Sequence, residues 1–431
     1  MRPDMAKSDL FDDLVWRGLA YQWTGEDALP ARLRSGPTTL YHGCDPSADS
    51  LHIGNLIGLV ALRRFQRAGH RPIALAGGGT GMIGDPSGRS EERNLLDGER
   101  LEANLAGIRS QLEQFLDFDA GEGSALLVNN ADWLTRFTYV DFLRDVGKHF
   151  SVNVMLAKES VSARLESGSG ITYTEFSYML MQAYDFVHLH GEFGCELQIG
   201  GSDQFGNIVA GIDLGRRMTQ ARMFGLTWPL IERSDGAKMG KTAEGAIWLS
   251  PERTSPYTFY QWFVRVPDAD VGPFLRLFTE VPRDEIEILE RRAADAAAKR
   301  EAQTRLAREL TLMVHGEDGL AKAERATRAF FGGDLDGLEE RDLLEIFADV
   351  PSVEVPKAAL DMGIPAVDAL VQAGLASSKS EARRVIEGGG AYRNNRRIES
   401  ASATLGATDL ATGTVMVLRA GKKSYALLRA V

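Results

Sequence analysis

Two short stretches carry side chains whose types and spacing suit phosphate chemistry. LHIGN, Leu51 to Asn55, sets His52 eleven residues after Tyr41, behind a strand-like run and at the start of an apolar-periodic helix. A His and an Asn there present two neutral hydrogen-bonding groups beside the free N–H groups of a helix start, which suits a phosphate chain. A lone His at such a position is more often a decoration of the helix end than a ligand. KMGKT, residues 238–242, sets Lys238 and Lys241 on a glycine-containing loop. Two ammonium groups suit a transition state that gathers charge on a leaving pyrophosphate, although a basic loop alone is more often plain surface. A third stretch, YMLMQAYD, spaces Tyr178, Gln182 and Asp185 at i, i+4 and i+7, so on a helix they share one face.

Two further patterns fail when their context is read. GTGMIG, Gly79 to Gly84, fits G-x-G-x-x-G but runs into DPSGRS instead of an apolar helix start, so the setting of a nicotinamide site is missing. Its glycines allow a tight turn beside a ligand. DGAKMGKT would be a phosphate-binding P-loop only with glycine at 235, which is Asp235. Cys44 and Cys195 are too few for a disulfide framework or a cysteine zinc site and read as structural.

These residues must be positioned by larger elements. From Thr38 to about Arg233, apolar runs (TTLYHGC, RPIALAGG, SALLVNN, CELQIGG, LTWPLIE) alternate with helical periods such as IGLVALRRFQRAG. That alternation predicts an α/β fold with a parallel sheet. Gly and Asp cluster just after the runs, in GCDPS, GGGTGMIGDPSG and GGSDQFGN, where ligands of open α/β sheets sit. Residues 1–35 read as a helical lead-in with a Leu10, Leu14, Trp16, Leu19 stripe. Residues 256–350 are rich in Ala, Glu, Arg and Leu at helical spacing. Pro351, Pro356, Gly363 and Pro365 mark 351–365 as a linker. Beyond it, Lys379 to Val431 holds 10 Lys/Arg against 4 Asp/Glu.

The whole chain has the opposite balance, a net charge of −11 over 431 residues, which argues against coating nucleic acid with the entire surface. The basic tail is therefore informative. With 44% apolar and 25% charged residues, the composition is that of a globular chain and excludes a disordered, coiled-coil or collagen-like one. No apolar run approaches the roughly 18 residues of a membrane helix. The start, MRPDMAKSDLFDDL, has no apolar signal region, so a cytoplasmic location is expected.

Taken together, LHIGN and KMGKT resemble the HIGH and KMSKS signatures of class I aminoacyl-tRNA synthetases. The stretches YHGCDPSADSLHIGN, GMIGDPSG, FLRDVGKHFSVN, YTEFSYMLMQAYDF, LQIGGSDQFGN and GAKMGKT sharpen this to the bacterial-type tyrosyl-tRNA synthetase family. SKSEARRVIEGGGAYRNNRRI is similar to the small αL-type RNA-binding module. The resemblance runs in order along essentially the whole chain. Asn55 replaces the last His of HIGH, the loop reads KMGKT, and Phe205 stands where the family commonly has Trp. Asn can still donate to phosphate, and both lysines remain.

The resemblance implies a Rossmann-like catalytic domain over 1–245, with a dimerising insertion at about 120–165. It implies an α-helical anticodon-binding domain over 246–350, the 351–365 linker and a small α+β RNA-binding domain over 366–431. Tyr41 and Asp185 would bond the phenolic hydroxyl of tyrosine. A polar pair at the base of an apolar pocket is left unpaired by phenylalanine, a rule for which tyrosyl-tRNA synthetases are the standard illustration. Asp85, Tyr178 and Gln182 would hold the ammonium, and Gln204 the carboxylate region. Gly43, Asp45, Gly201 and Asp203 would line ATP, with Asp203 on the ribose. His52 and Asn55 would bind its phosphates, and Lys238, Lys241 and Thr242 would close over pyrophosphate. Magnesium would accompany ATP without a dedicated protein site. The partners implied are tRNA(Tyr) and a second copy of the chain in a homodimer, with no membrane and no DNA. Arg89, Arg93 and Lys158 are weaker candidates for the acceptor stem. The rivals are a tryptophanyl-tRNA synthetase, a small-molecule nucleotidyltransferase and a catalytically silent RNA-binding paralogue; the last would predict loss of His52, Lys241 or Asp203, and all three are present.

Overall fold

The computed structural model describes residues 10–431 except 47, 86–97, 167, 169, 232–233, 235–238, 240, 243–244, 294–299 and 423. The chain divides into two compact units, one ending at Thr254 and resuming over Val264–Val314, the other formed by Ser255–Phe263 and His315–Val431.

The first unit is built on six strands: β1 (Gln22–Trp23), β2 (Thr39–Cys44), β3 (Arg71–Ala76), β4 (Leu126–Asn129), β5 (Cys195–Gly201) and β6 (Phe224–Trp228), in the order β1-β6-β5-β2-β3-β4. Strands β2 to β6 are mutually parallel, as the alternating pattern predicts, and β1 adds an antiparallel edge. β3 is covered on both faces, with every residue after Arg71 buried, which explains its unbroken apolar run. From β2 the order runs outward one way to β3 and β4 and the other way to β5 and β6. The crevice at the carboxyl ends of β2 and β5 is therefore the switch point where such sheets bind ligands.

Two helices aim side chains at that crevice. Ile53–Arg67 follows β2 and carries apolar residues buried from Ile53 to Phe65. Tyr173–Phe193 precedes β5; it opens on a Thr172/Glu175 capping box and stops at Gly194, whose φ of 63° is the left-handed ending that glycine favours. Glu175 also pairs with buried Arg164 at 3.3 Å, fixing this helix start. The N-terminal helix Leu10–Arg17 buries Leu10 and Leu14 and locks its end electrostatically. Asp13 accepts from Arg17 at 2.9 Å and from Arg64 at 3.0 Å. Carbonyls of Thr279 and Val281 take further guanidinium protons. Burial and the neighbouring Arg17 charge lower the Arg64 pKa to about 10.

Residues 246–249 stay with the first unit, beyond the boundary expected at 245. Ile53 N–H donates to the Ile247 carbonyl at 3.0 Å, and Leu249 N–H to Leu51 at 2.8 Å. The helical stretch is likewise shared between units. Within Glu301–Phe330, Gly316 has φ 71° and ψ −174°, so the helix breaks there, beside the unit boundary.

The 351–365 stretch is not a linker. Ser352–Val355 (β7) pairs in parallel with the last strand of a five-stranded sheet, and Lys357–Met362 is helical. The prolines and glycine sit at element ends: Pro356 and Pro365 precede helix starts, and Gly363 (φ 83°) ends a helix. Val355 and Leu360 are buried in the core of this module, so the punctuation marks short elements close together, not a spacer. Asn394 and Asn395, with φ of 49° and 61°, make the two-residue turn of its Ala391–Arg393/Arg396–Arg397 hairpin. Among the described residues no helix is long and apolar enough to cross a membrane.

Candidate active site

Tyr41 lies mid-way along β2 and Asp185 on the fourth turn of Tyr173–Phe193; each is 1% exposed. The Asp185 carboxylate accepts from Trp133 Nε1 at 2.8 Å and from Asn130 Nδ2 at 2.9 Å. Burial pushes its pKa up to about 7, and these two donors work against that rise. The Tyr41 hydroxyl is fully buried and finds no hydrogen-bond partner among the described residues. Burial and the nearby Asp185 and Cys195 hold its pKa well above the usual phenol value. Around the pair stand Phe186, edge-on to Tyr41 at 5.3 Å, with Ile73 and Leu75. A donor without a partner and a firmly held carboxylate in apolar walls can read one hydroxyl group of a flat aromatic ligand.

The same helix face carries Tyr178, which is 5% exposed, and Gln182. Gln182 heads a polar line. Its Oε1 accepts from Asn207 at 3.0 Å, and its Nε2 donates to Gln204 Oε1 at 3.2 Å. Gln204 Nε2 in turn donates to Asp85 at 2.7 Å and to Asp203 at 3.2 Å. Four residues picked from three separate motifs (Gln182, Asp85, and the adjacent Asp203 and Gln204) thus form one connected array of amide and carboxylate groups. Its acidic members and amide oxygens are equipped to hold an ammonium group.

Beyond the line lie the strand ends. Asp45 follows β2, and its carboxylate accepts from Thr80 at 3.4 Å. The glycine-rich turn after β3 packs against it: a Cβ on Gly77 would stand 2.5 Å from Asp45 Oδ1, and one on Gly78 would stand 2.1 Å from Asn129 Oδ1. Gly79 N–H donates to Asn130 at 2.7 Å. The turn is thus glycine for close approach, as its failed dinucleotide context implies. Gly43 is the penultimate residue of β2 and Gly201 ends β5, and a Cβ on Gly201 would stand 2.5 Å from Asp203.

His52 and Asn55 do cap the helix, as the plainer expectation held. Gly54 N–H donates to His52 Nδ1 at 3.0 Å, and His52 N–H donates to Asn55 Oδ1 at 3.1 Å. This reciprocal box has a chemical consequence. With Nδ1 accepting, the neutral imidazole carries its proton on Nε2, and Asn55 keeps its NH2 group for donation. Capping therefore orients two donors instead of competing with phosphate binding.

Lys241 and Thr242 form a two-residue strand against Gly245–Ala246; their side chains, all of Lys238, and Arg89 and Arg93 lie outside the described residues. Lys158 turns inward: its ammonium donates to the Gly206 carbonyl at 2.8 Å, and burial lowers its pKa. Sequence reasoning passed over Asn130, Trp133 and Asn207. The first two stand in NNADW, directly after the strand-like run that becomes β4, where a polar pair at a strand end was the available signal. It also passed over His42, whose Nδ1–H donates to the Ile199 carbonyl at 3.2 Å and whose pKa burial lowers to about 4.

The family model of class I tRNA synthetases (W and Y) matches residues 33–332, and that of the tyrosine–tRNA ligase SYY-like C-terminal domain matches 342–428. The tyrosine–tRNA ligase of Roseiflexus castenholzii is 55% identical over 423 residues, 98% of this chain and 99% of that protein. That of Rhodopirellula baltica is 54% identical over 430 residues, 100% of this chain and 98% of that protein. Among solved structures, a C-terminally truncated Aspergillus nidulans mitochondrial tyrosyl-tRNA synthetase superposes with a TM-score of 0.66 at 31% identity, covering 75% of this chain and 94% of that one. A tryptophanyl-tRNA synthetase from Encephalitozoon cuniculi, 13% identical with a TM-score of 0.52, shares the fold. Both family models and the full-length matches agree, and the chain belongs to the tyrosine–tRNA ligase family of class I tRNA synthetases.

Proposed function

We infer that the chain activates L-tyrosine with ATP to tyrosyl-adenylate and pyrophosphate, then transfers the tyrosyl group to tRNA(Tyr) with release of AMP. The observation that carries this is the buried Tyr41–Asp185 pair, with Asp185 held by Asn130 and Trp133. The phenolic hydroxyl donates to Asp185 and accepts from Tyr41. Asp85, Tyr178 and Gln182 bind the ammonium group, and Gln204 orients the carboxylate. Asp203 accepts the ribose hydroxyls, while Gly43, Asp45 and Gly201 line the nucleotide.

The tyrosine carboxylate attacks the α-phosphorus in line, forming the acyl–phosphate bond as the bond to pyrophosphate breaks. His52 Nε2–H and Asn55 donate to the phosphates, and Lys238, Lys241 and Thr242 stabilise the leaving pyrophosphate. A terminal ribose hydroxyl of the tRNA then attacks the adenylate carbonyl. Positioning and charge stabilisation suffice, without a protein nucleophile. Magnesium enters with ATP as part of that substrate.

Supporting a homodimer, Tyr139, Val140, Val152, Val154 and Tyr173 expose apolar surface on and beside the insertion. The basic tail offers tRNA a local positive patch. The site of action is the cytoplasm.

ATP–pyrophosphate exchange, run with each proteinogenic amino acid in turn, tests the reading. Exchange with tyrosine alone is expected. Exchange with tryptophan instead, or with none, overturns it.

A further inference from the structure

A second cavity, of about 660 Å3, lies behind the hydroxyl end of the tyrosine pocket, along β4 and the helices Gly98–Phe115 and Tyr173–Phe193. Its size is that of a small-molecule site. Trp133 belongs to both places. It lines the cavity, and its indole N–H is the 2.8 Å donor to Asp185. On the cavity side, Trp133 stacks on His188 with ring centroids 4.2 Å apart and planes at 24°. Burial lowers the His188 pKa, while Glu192 raises it and Arg136 lowers it further.

The charges around the rim point to a ligand class. Arg136 and Arg109, the latter also ion-paired to Glu113 at 3.2 Å, line the cavity together with Asp132 and Glu192, so both signs of charge are present. A simple anion meets two carboxylates, and a simple cation meets two guanidiniums. A zwitterion can satisfy both signs at once. The stacked Trp133–His188 wall adds an aromatic surface. We propose that this cavity is an effector site for an aromatic amino-acid zwitterion, and that its occupant weakens tyrosine binding through the Trp133–Asp185 hydrogen bond. The effect rests on Asp185 reading the tyrosine hydroxyl, as inferred above; binding to the cavity does not.

L-Phenylalanine is the probe, because it lacks the hydroxyl that the tyrosine pocket reads. Labelled phenylalanine is titrated onto the full chain held at saturating tyrosine, and the KM for tyrosine in pyrophosphate exchange is measured over the same range. The proposal expects a saturable rise in KM of about fivefold or more and, reciprocally, phenylalanine binding that is weakened by at least that factor at saturating tyrosine. Both are lost in the Arg109→Ala/Arg136→Ala double variant and in Ala106→Trp, which fills the cavity from an exposed position. Without phenylalanine, these variants exchange at the wild-type rate. Inhibition that survives in the variants, binding without a change in KM, or no binding each overturns the proposal. Asp185→Asn separates the two readings. If that variant keeps the wild-type KM for tyrosine and its discrimination against phenylalanine, the hydroxyl-reading role fails, while the binding titration still reports on the cavity.

Discussion

Trp133→Phe removes one proton from the site and keeps an aromatic ring to stack on His188. The lost contact is the 2.8 Å bond from Nε1 to Asp185, a charged acceptor that is 1% exposed. A hydrogen bond to a charged group contributes about 1.5–3 kcal/mol. At 1.36 kcal/mol per decade, kcat/KM for tyrosine should fall by roughly 10- to 150-fold. Activity with phenylalanine, which makes no bond to Asp185, should change far less, so discrimination narrows by the same factor. A second signature follows from the titration. The Asp185 pKa stands at about 7 with Trp133 and Asn130 both opposing the rise. Tyrosine binding should weaken as pH falls through that value, because the protonated carboxyl no longer accepts freely. Losing one donor moves this acid limb to higher pH. Steady-state exchange kinetics from pH 6 to 9, with both amino acids, measure all of this. An unchanged KM and an unmoved limb, in a variant with wild-type unfolding behaviour, would refute the assignment.

Gln204→Ala cuts the polar line at its centre, leaving Asp85 and Gln182 without their shared partner; the KM for tyrosine should rise about tenfold, the charged bond being the larger loss, and a rise confined to ATP would contradict the ammonium and carboxylate roles. Asp13→Ala leaves Arg17 and Arg64, 5% and 4% exposed, without their shared carboxylate, and should destabilise the first unit by about 3–5 kcal/mol in denaturant unfolding. Asp185 also links stability to pH. Its pKa is raised from 3.8 to about 7 in the folded chain, so between these values the folded state binds the extra proton and stability falls as pH rises. In ligand-free protein, the wild-type-minus-Asp185→Asn difference in unfolding free energy should fall from pH 4 to pH 7 and level off above. A flat difference would show that the carboxyl is not held in an apolar site.

In LHIGN the capping role that the structure shows is compatible with the proposed phosphate-binding role. His52 and Asn55 form the reciprocal cap of Ile53–Arg67, and that cap is also what commits the His52 proton to Nε2. A substitution here therefore acts on helix stability and on donor orientation together. The replacement of a second histidine by Asn55 preserves both roles, since an amide can accept with its oxygen while donating with its nitrogen.

Much of this site is local in the sequence. The shared face of Tyr178, Gln182 and Asp185 follows from helical period alone, and the strand-end placement of Asp45, Gly201 and Asp203 follows from apolar runs that stop at glycines. The alternation that announces a parallel sheet is equally local, because strands covered on both faces must be apolar throughout. Three matters were settled only by tertiary structure. The donors to Asp185 come from Asn130 and Trp133, 55 and 52 residues away, and only the approach of the segment after β4 to the Tyr173–Phe193 helix brings them together. Proline and glycine at 351–365 read as a spacer because breakers look the same in a linker and at the ends of short elements; the partner of Ser352–Val355 is Leu427–Ala430, supplied from the far end of the chain. The division near Thr254 and Val314, likewise, depends on which long-range contacts form. Sequence period reports which face of an element is buried, but not against what, and partner choice over tens of residues is a property of the packed chain.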